Sequence, residues 1–226
     1  MIIIHVMNTT SLPRLVTRNL ADRLRVMPAV VLTGARQTGK STLAQDPALG
    51  SRRYLSLDDL DFVDAARRDP EALLGGAQAI TLDEVQREPD LMIAVKRAID
   101  LRRKPGQFLL TGSANLLVMR QVSETLAGRA SYLTLWPMTR REQMGLGRGG
   151  IWEELIKARD EEWLDLLTSQ PDDHEDWRAL ALRGGFPTPA VHLTDSRERA
   201  VWFDGYVRTY LERDLQELSS ISALPD

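Results

Sequence analysis

The chain has 226 residues, 43% of them apolar and 27% charged, and a net charge of −3. These figures fit a soluble globular protein with one core, or a core plus a smaller appendage. They exclude a chain dominated by nucleic-acid binding, though not a local basic patch. The absence of cysteine excludes a disulfide framework and a cysteine metal site, and a reducing cytoplasm fits it.

Met1 to Met7 reads as an extra strand, or as a leader if translation starts at Met7. It is too short for a signal peptide and lacks a basic start. No apolar run has the length of a membrane span, so no membrane partner is expected. Pro13 to Met27 spaces Leu15, Val16, Leu20, Leu24 and Val26 as an amphipathic helix. Arg14, Arg18, Arg23 and Arg25 are left available to solvent or phosphate. Ala29 to Thr33 reads as a buried strand, followed by a loop and a helix that breaks near Asp46-Pro47. Arg53 to Leu57 is a second strand, Leu60 to Leu74 is helical with a new turn at Pro70, and Ala77 to Leu82 is a third strand. Asp90 to Leu101 is an amphipathic helix, Phe108 to Thr111 a fourth strand and Tyr132 to Leu135 a fifth. Apolar strands alternating with helices indicate a mostly parallel sheet covered on both sides, an α/β class. Past Trp136-Pro137 the alternation stops. Ile151 to Trp177 carries ten Asp or Glu against Lys157 and Arg159, the composition of a solvated helix face and linker. Helical sequence returns after Trp177, interrupted by Gly184-Gly185-Phe186-Pro187.

The loop after the first strand reads Gly34-Ala35-Arg36-Gln37-Thr38-Gly39-Lys40-Ser41, followed by Thr42. It fits the phosphate-binding pattern G-x-x-x-x-G-K-[ST], in the strand-loop-helix context that pattern needs. Gly34 and Gly39 let the backbone come close to phosphate oxygens, and the loop amides supply partial positive charge. Lys40 adds a full charge for the β- and γ-phosphates, and the Ser41 hydroxyl can ligate Mg²⁺.

The third strand ends in Asp83-Glu84. An apolar strand ending in a carboxylate beside such a loop is a Walker B strand: Asp83 holds Mg²⁺ and its waters, and Glu84 polarises the attacking water. The fourth strand ends in Thr111-Gly112-Ser113, where Ser113, with Thr111 behind it, is the candidate to orient that water. Position alone leaves Arg129, just before the fifth strand, open between a solvated arginine and one that faces a nucleotide in its own or a neighbouring subunit. Asp58 and Asp59 stay open between substrate contact, Mg²⁺ support and capping of the next helix.

These stretches, taken in order, resemble the prokaryotic AAA-type ATPases in which a P-loop core is followed by a domain of unknown function. The resemblance rests on Val31–Leu43, Leu82–Gln86, Gly106–Ala114, Glu124–Arg129, Gly184–Pro187 and Tyr206–Leu215. It implies a P-loop NTPase three-layer αβα sandwich, its five-stranded sheet in the order 5-1-4-3-2, followed by a smaller helical region. It implies ATP and Mg²⁺ as cofactors, adenine over guanine, and Arg129 as an arginine finger acting in cis or in trans. Action in trans would make the protein a homo-oligomer. Ala35 stands where many relatives carry Pro. The implied organisation is a leader and amphipathic helix at 1–28, the ATPase core at 29–137, an acidic linker and helical region at 138–205, and the start of a further domain at 206–226. Relatives continue roughly as far again, so the chain is expected to be truncated there, and any DNA or protein partner is expected through that C-terminal region. Two functional readings follow: Mg²⁺-dependent ATP hydrolysis driving a conformational change, or a nucleotide-gated binding module with negligible turnover.

Overall fold

In a computed structural model of the chain, residues 12–76, 78–113 and 124–219 are described, with the side chains of 153 and 210–219 left out of account. Met1 to Met7, Ala77 and Ala114 therefore lie outside the described residues. The chain divides into two compact units, 1–153 and 154–226.

In the first unit, β1 (Ala29–Thr33), β2 (Arg53–Ser56), β3 (Ile80–Asp83), β4 (Phe108–Thr111) and β5 (Ala130–Thr134) form one sheet in the order β2-β3-β4-β1-β5. Every neighbouring pair is parallel. This is the order the family resemblance implies, read from the opposite edge. The helices are α1 (Val16–Val26), α2 (Lys40–Ala44), α3 (Leu60–Arg68), α4 (Pro70–Leu73), α5 (Leu91–Arg102) and α6 (Arg140–Gln143).

Side chains alternate across a strand, so each central strand feeds two cores. Val30 and Leu32 of β1 and Leu109 of β4 join Leu20 and Leu24 of α1 and Leu43 of α2. Ala29 and Val31, with Phe108, Leu110 and Leu82, join Val63 of α3 and Met92, Val95 and Ile99 of α5 on the opposite face. Helices on both faces of a parallel sheet make the three-layer αβα sandwich. β5 is an edge strand and only partly buried. Its first residues, Ala130 and Ser131, lack an apolar signal, which is why the strand starts two residues before the expected Tyr132.

Polar caps set the helix limits. Asp59 accepts from the Asp61 amide at 3.0 Å and starts α3; Asp69 accepts from the Ala72 amide at 2.9 Å and starts α4, with Pro70 at its first position. The break expected at Pro70 is therefore a second helix.

Arg14 departs from expectation. The helical spacing leaves it available to solvent or phosphate, yet its side chain is 9% exposed and pairs with Glu142 at 3.2 Å, whose side chain is 5% exposed. Its guanidinium also donates to the carbonyls of Thr38 (2.8 Å) and Trp136 (2.7 Å). Glu142 accepts from the Leu15 amide and the Thr139 amide, each at 2.7 Å, and completes a capping box on α6. Five planar donors suit an arginine to this role, because it can reach three acceptors at once. The physical reason for the departure is a partner 128 residues away, which helical periodicity does not register.

The second unit holds α8 (Trp163–Thr168), α9 (Trp177–Arg183), a π-helical turn (Thr188–His192) and α10 (Ser196–Ser219); α7 (Trp152–Lys157) spans the division. Gly184, at φ 69° and ψ −163°, ends α9 in a conformation open essentially to glycine alone. Phe186 then packs on Trp202 and Tyr206 at ring separations of 5.4 and 4.7 Å, and Trp202 stacks on Tyr206 at 5.2 Å.

Replacing Arg14 by Met leaves Glu142 buried without its cation. The expected loss is about 3 kcal/mol in urea denaturation, with part of it recovered in the Arg14→Met, Glu142→Met double variant.

Candidate nucleotide-binding site

Because all five strands run the same way, the turns that leave their carboxyl ends gather at one edge of the sheet. Open α/β sheets bind ligands at that edge. The loop after β1 carries Gly34 to Gly39, and the turn after β3 carries Glu84. Gly112 and Ser113 follow β4, and Leu57 to Asp59 follow β2.

The loop after β1 is sharply folded. Gly34 has φ 151° and Gly39 φ 93°, values that favour glycine, and Gln37 takes a left-handed φ of 59°. At Gly34 even a methyl group is excluded, since a Cβ would lie 2.4 Å from the Leu135 carbonyl oxygen. The buried Thr38 hydroxyl donates to the Ala35 carbonyl at 2.9 Å. With the Arg14 guanidinium on the Thr38 carbonyl, two polar contacts fix the loop from inside.

Lys40 opens α2 and is 5% exposed. Its ammonium donates to the carbonyls of Gly34 (3.0 Å) and Ala35 (2.9 Å), so it lies back across the loop. Burial holds it below its ordinary value; Glu84 and then Asp83 pull it back up, and Arg36 pushes it down. The two carboxylates at the end of β3 thus act electrostatically on the lysine of the loop after β1.

Asp83 is 3% exposed and both of its oxygens are held. Oδ1 accepts from the Thr111 hydroxyl on β4, and Oδ2 accepts from the Tyr54 phenol on β2. Burial pushes the Tyr54 phenol up, the Asp83 hydrogen bond pushes it further, and the Ser41 hydroxyl pulls it back. The phenol is thus hydrogen-bonded to Asp83, with Ser41 near it. Glu84 is left-handed, with φ 59° and ψ 44°, a sparsely populated region for a residue with a Cβ. The Gln86 amide donates to its carboxylate, and the Gln86 carbonyl accepts from the Ser113 amide at 3.3 Å. Gln86 thereby joins Glu84 to the turn after β4.

Among the described residues no group of three or more His, Cys, Asp or Glu could hold a metal ion alone. One buried carboxylate beside a hydroxyl still fits Mg²⁺, which keeps several waters and takes phosphate oxygens as ligands.

Arg129 does not join this edge. Its carbonyl accepts from the Ala29 amide at the start of β1, and its guanidinium grips Asp100 at 2.6 and 3.0 Å. That contact raises the arginine and lowers the carboxyl. β1 has five residues; at about 3.3 Å per residue, Arg129 lies roughly 16 Å from the loop, at the opposite edge of the sheet. Arg129 thus sits apart from the loop, with its guanidinium taken up by Asp100. Asp58 and Asp59 face other tasks: Asp58 pairs with Arg87, and Asp59 caps α3.

Tyr54, Gln86 and Arg14 were not assigned to the site from sequence. The signal for Tyr54 lay in strand alternation: register pairs Tyr54 with Thr81 and Ser56 with Asp83, putting all four on one face.

A family model described as AAA domain matches residues 27–144, and one described as a domain of unknown function matches residues 174–226. An uncharacterised protein of Mycobacterium tuberculosis is 34% identical over 208 residues, 89% of this chain and 40% of that protein. A protein of Mycobacterium bovis matches to the same extent. The chain thus spans about 40% of the length of the curated relatives it matches. The Walker-type ATPase of Pyrococcus abyssi superposes with a TM-score of 0.51 at 15% identity, covering 91% of this chain and 75% of that one. That likeness concerns the fold, which is the P-loop NTPase αβα fold.

Gly34→Ala forces a methyl group against the Leu135 backbone. A loss of about 1–3 kcal/mol, read as a lowered melting temperature, is expected from the overpacking alone. An unchanged melting temperature would contradict the close approach.

Proposed function

The chain belongs to the AAA domain family, and from that premise we propose that it binds ATP with Mg²⁺ and hydrolyses it to drive a conformational change. One observation carries the reading: Lys40, Asp83, Glu84 and Ser113 meet at the carboxyl edge of the sheet, around a loop whose backbone is folded for close approach. That is the set phosphoryl transfer needs, where catalysis is mostly positioning and charge stabilisation.

In this reading the amides of Gly34 to Thr42 cradle the phosphates. Lys40 exchanges the Gly34 and Ala35 carbonyls for phosphate oxygens. Ser41 and Asp83 would hold Mg²⁺, which would screen the charge of the β- and γ-phosphates. Glu84 takes the proton from a water whose oxygen attacks the γ-phosphorus, the bond to the bridging oxygen breaks, and ADP and phosphate leave. Ser113, tied to Glu84 through Gln86, orients that water. Arg129 acts on the nucleotide of a neighbouring copy, in a homo-oligomer. The C-terminal unit is the candidate contact for a DNA or protein partner. Among the described residues no helix is long and apolar enough to cross a membrane, and a cytoplasmic site of action is part of the proposal.

Phosphate release at saturating Mg-ATP tests the reading. Glu84→Gln is expected to lower it by about 10²- to 10⁴-fold while ATP still binds. Lys40→Ala is expected to abolish binding. Tight ATP binding with no release by the unaltered chain would overturn hydrolysis and leave a nucleotide-gated binding module.

Arg129→Ala is expected to leave ATP affinity at low protein concentration unchanged. Its rate should fall only under conditions where the unaltered chain associates, as read by release against protein concentration. A defect independent of concentration would contradict action in trans.

A further inference from the structure

Asp83 is the last residue of β3, and its side chain could turn easily, because the terminal torsion of an aspartate is broad and nearly two-fold. What fixes it comes from the two strands that flank β3. Thr111 of β4 donates to Oδ1 and Tyr54 of β2 donates to Oδ2. A carboxylate offers about four lone-pair positions, so one is used on each oxygen and one on each remains. Ser41, at the start of α2, is near enough to oppose the upward shift of the Tyr54 phenol. The phenol holds Asp83 from the neighbouring strand. Alternation and register bring it there: Tyr54 pairs with Thr81, two residues before Asp83 on the same face of the neighbouring strand. A shorter side chain at 54 would not reach Asp83 from β2, and phenylalanine would fill the same space without a donor.

We infer that Tyr54 is a positioning residue of the cation site, whose hydroxyl sets the orientation of Asp83 relative to Ser41 and so couples divalent-cation binding to nucleotide binding. This rests on the nucleotide reading given above. Groups that hold a metal ligand by hydrogen bonds typically change metal affinity by about 10- to 100-fold when removed. A role confined to packing would leave the cation requirement untouched, because Tyr54→Phe keeps the ring.

The experiment measures binding of a fluorescent ADP analogue to the whole chain in EDTA and across a Mg²⁺ titration, for the unaltered chain and for Tyr54→Phe. Affinity in EDTA should be the same for both. The Mg²⁺ midpoint for tightened binding should rise by about 10-fold or more in Tyr54→Phe. Mn²⁺ affinity at fixed ADP, read by electron paramagnetic resonance of the free ion, should fall in parallel. Tyr54→His, whose ring donor falls short of Asp83, should also raise the midpoint and serves as the second variant if Tyr54→Phe does not fold. Equal Mg²⁺ midpoints in the unaltered chain and the variants would overturn the role of Tyr54 and leave the nucleotide reading standing. No binding of the analogue by the unaltered chain, with or without Mg²⁺, would overturn both.

Discussion

Parallel pairing of β1 with both β4 and β5 is the constraint on which the rest depends. It sends the carboxyl ends of the central strands to one edge and requires a crossover between every pair of neighbours. Those crossovers put α2, α3 and α5 on the faces of the sheet, α1 ahead of β1 packs beside α2, and the central strands β1 and β4 are apolar up to their last residues. In β1 and β4 the polar side chain that remains is the last residue, where the turn begins. Asp83 and Thr111 are the last residues of β3 and β4. The same constraint puts any residue that precedes a strand at the far edge, which is the position of Arg129.

Within that frame the edge works as a set of opposed charges held by short contacts. Burial disfavours the Lys40 ammonium, and the carboxylates of Glu84 and Asp83 favour it. The loop carbonyls of Gly34 and Ala35 receive its protons. An incoming phosphate offers the same ammonium a stronger acceptor, since a charged oxygen makes a roughly twofold stronger hydrogen bond than a neutral one. Asp83 is pinned from both neighbouring strands, and Glu84 is kept in a left-handed conformation with Gln86 on its carboxylate. Arg14 adds a tie from the opposite direction, linking the Thr38 carbonyl in the loop to the segment that follows β5. The loop after β1 is therefore held at its own carbonyls.

Much of the fold was legible because buried strands carry their signal locally. Val30-Val31-Leu32 and Phe108-Leu109-Leu110 are apolar on both faces, and each ends in small or polar residues. The loop motif and Asp83-Glu84 were legible for the same reason, since their spacing is set within one strand and its turn. Contacts between elements distant in the chain were not. Tyr54 reaches Asp83 across 29 residues, and Arg14 reaches Glu142 across 128. Neither residue carries a pattern of its own, so each depends on register that only the assembled sheet supplies. β5 begins two residues before the expected start for a related reason, since an edge strand half open to solvent need not be apolar.

The most direct measurement of the central claim is a crystal structure of the chain with Mg²⁺ and a non-hydrolysable ATP analogue. The account predicts the phosphates on the amides of Gly34 to Thr42. The Lys40 ammonium should have left the Gly34 and Ala35 carbonyls for them, with Asp83 and Ser41 turned to the cation. Phosphates bound elsewhere, or a Lys40 still on its two carbonyls beside bound nucleotide, would contradict it.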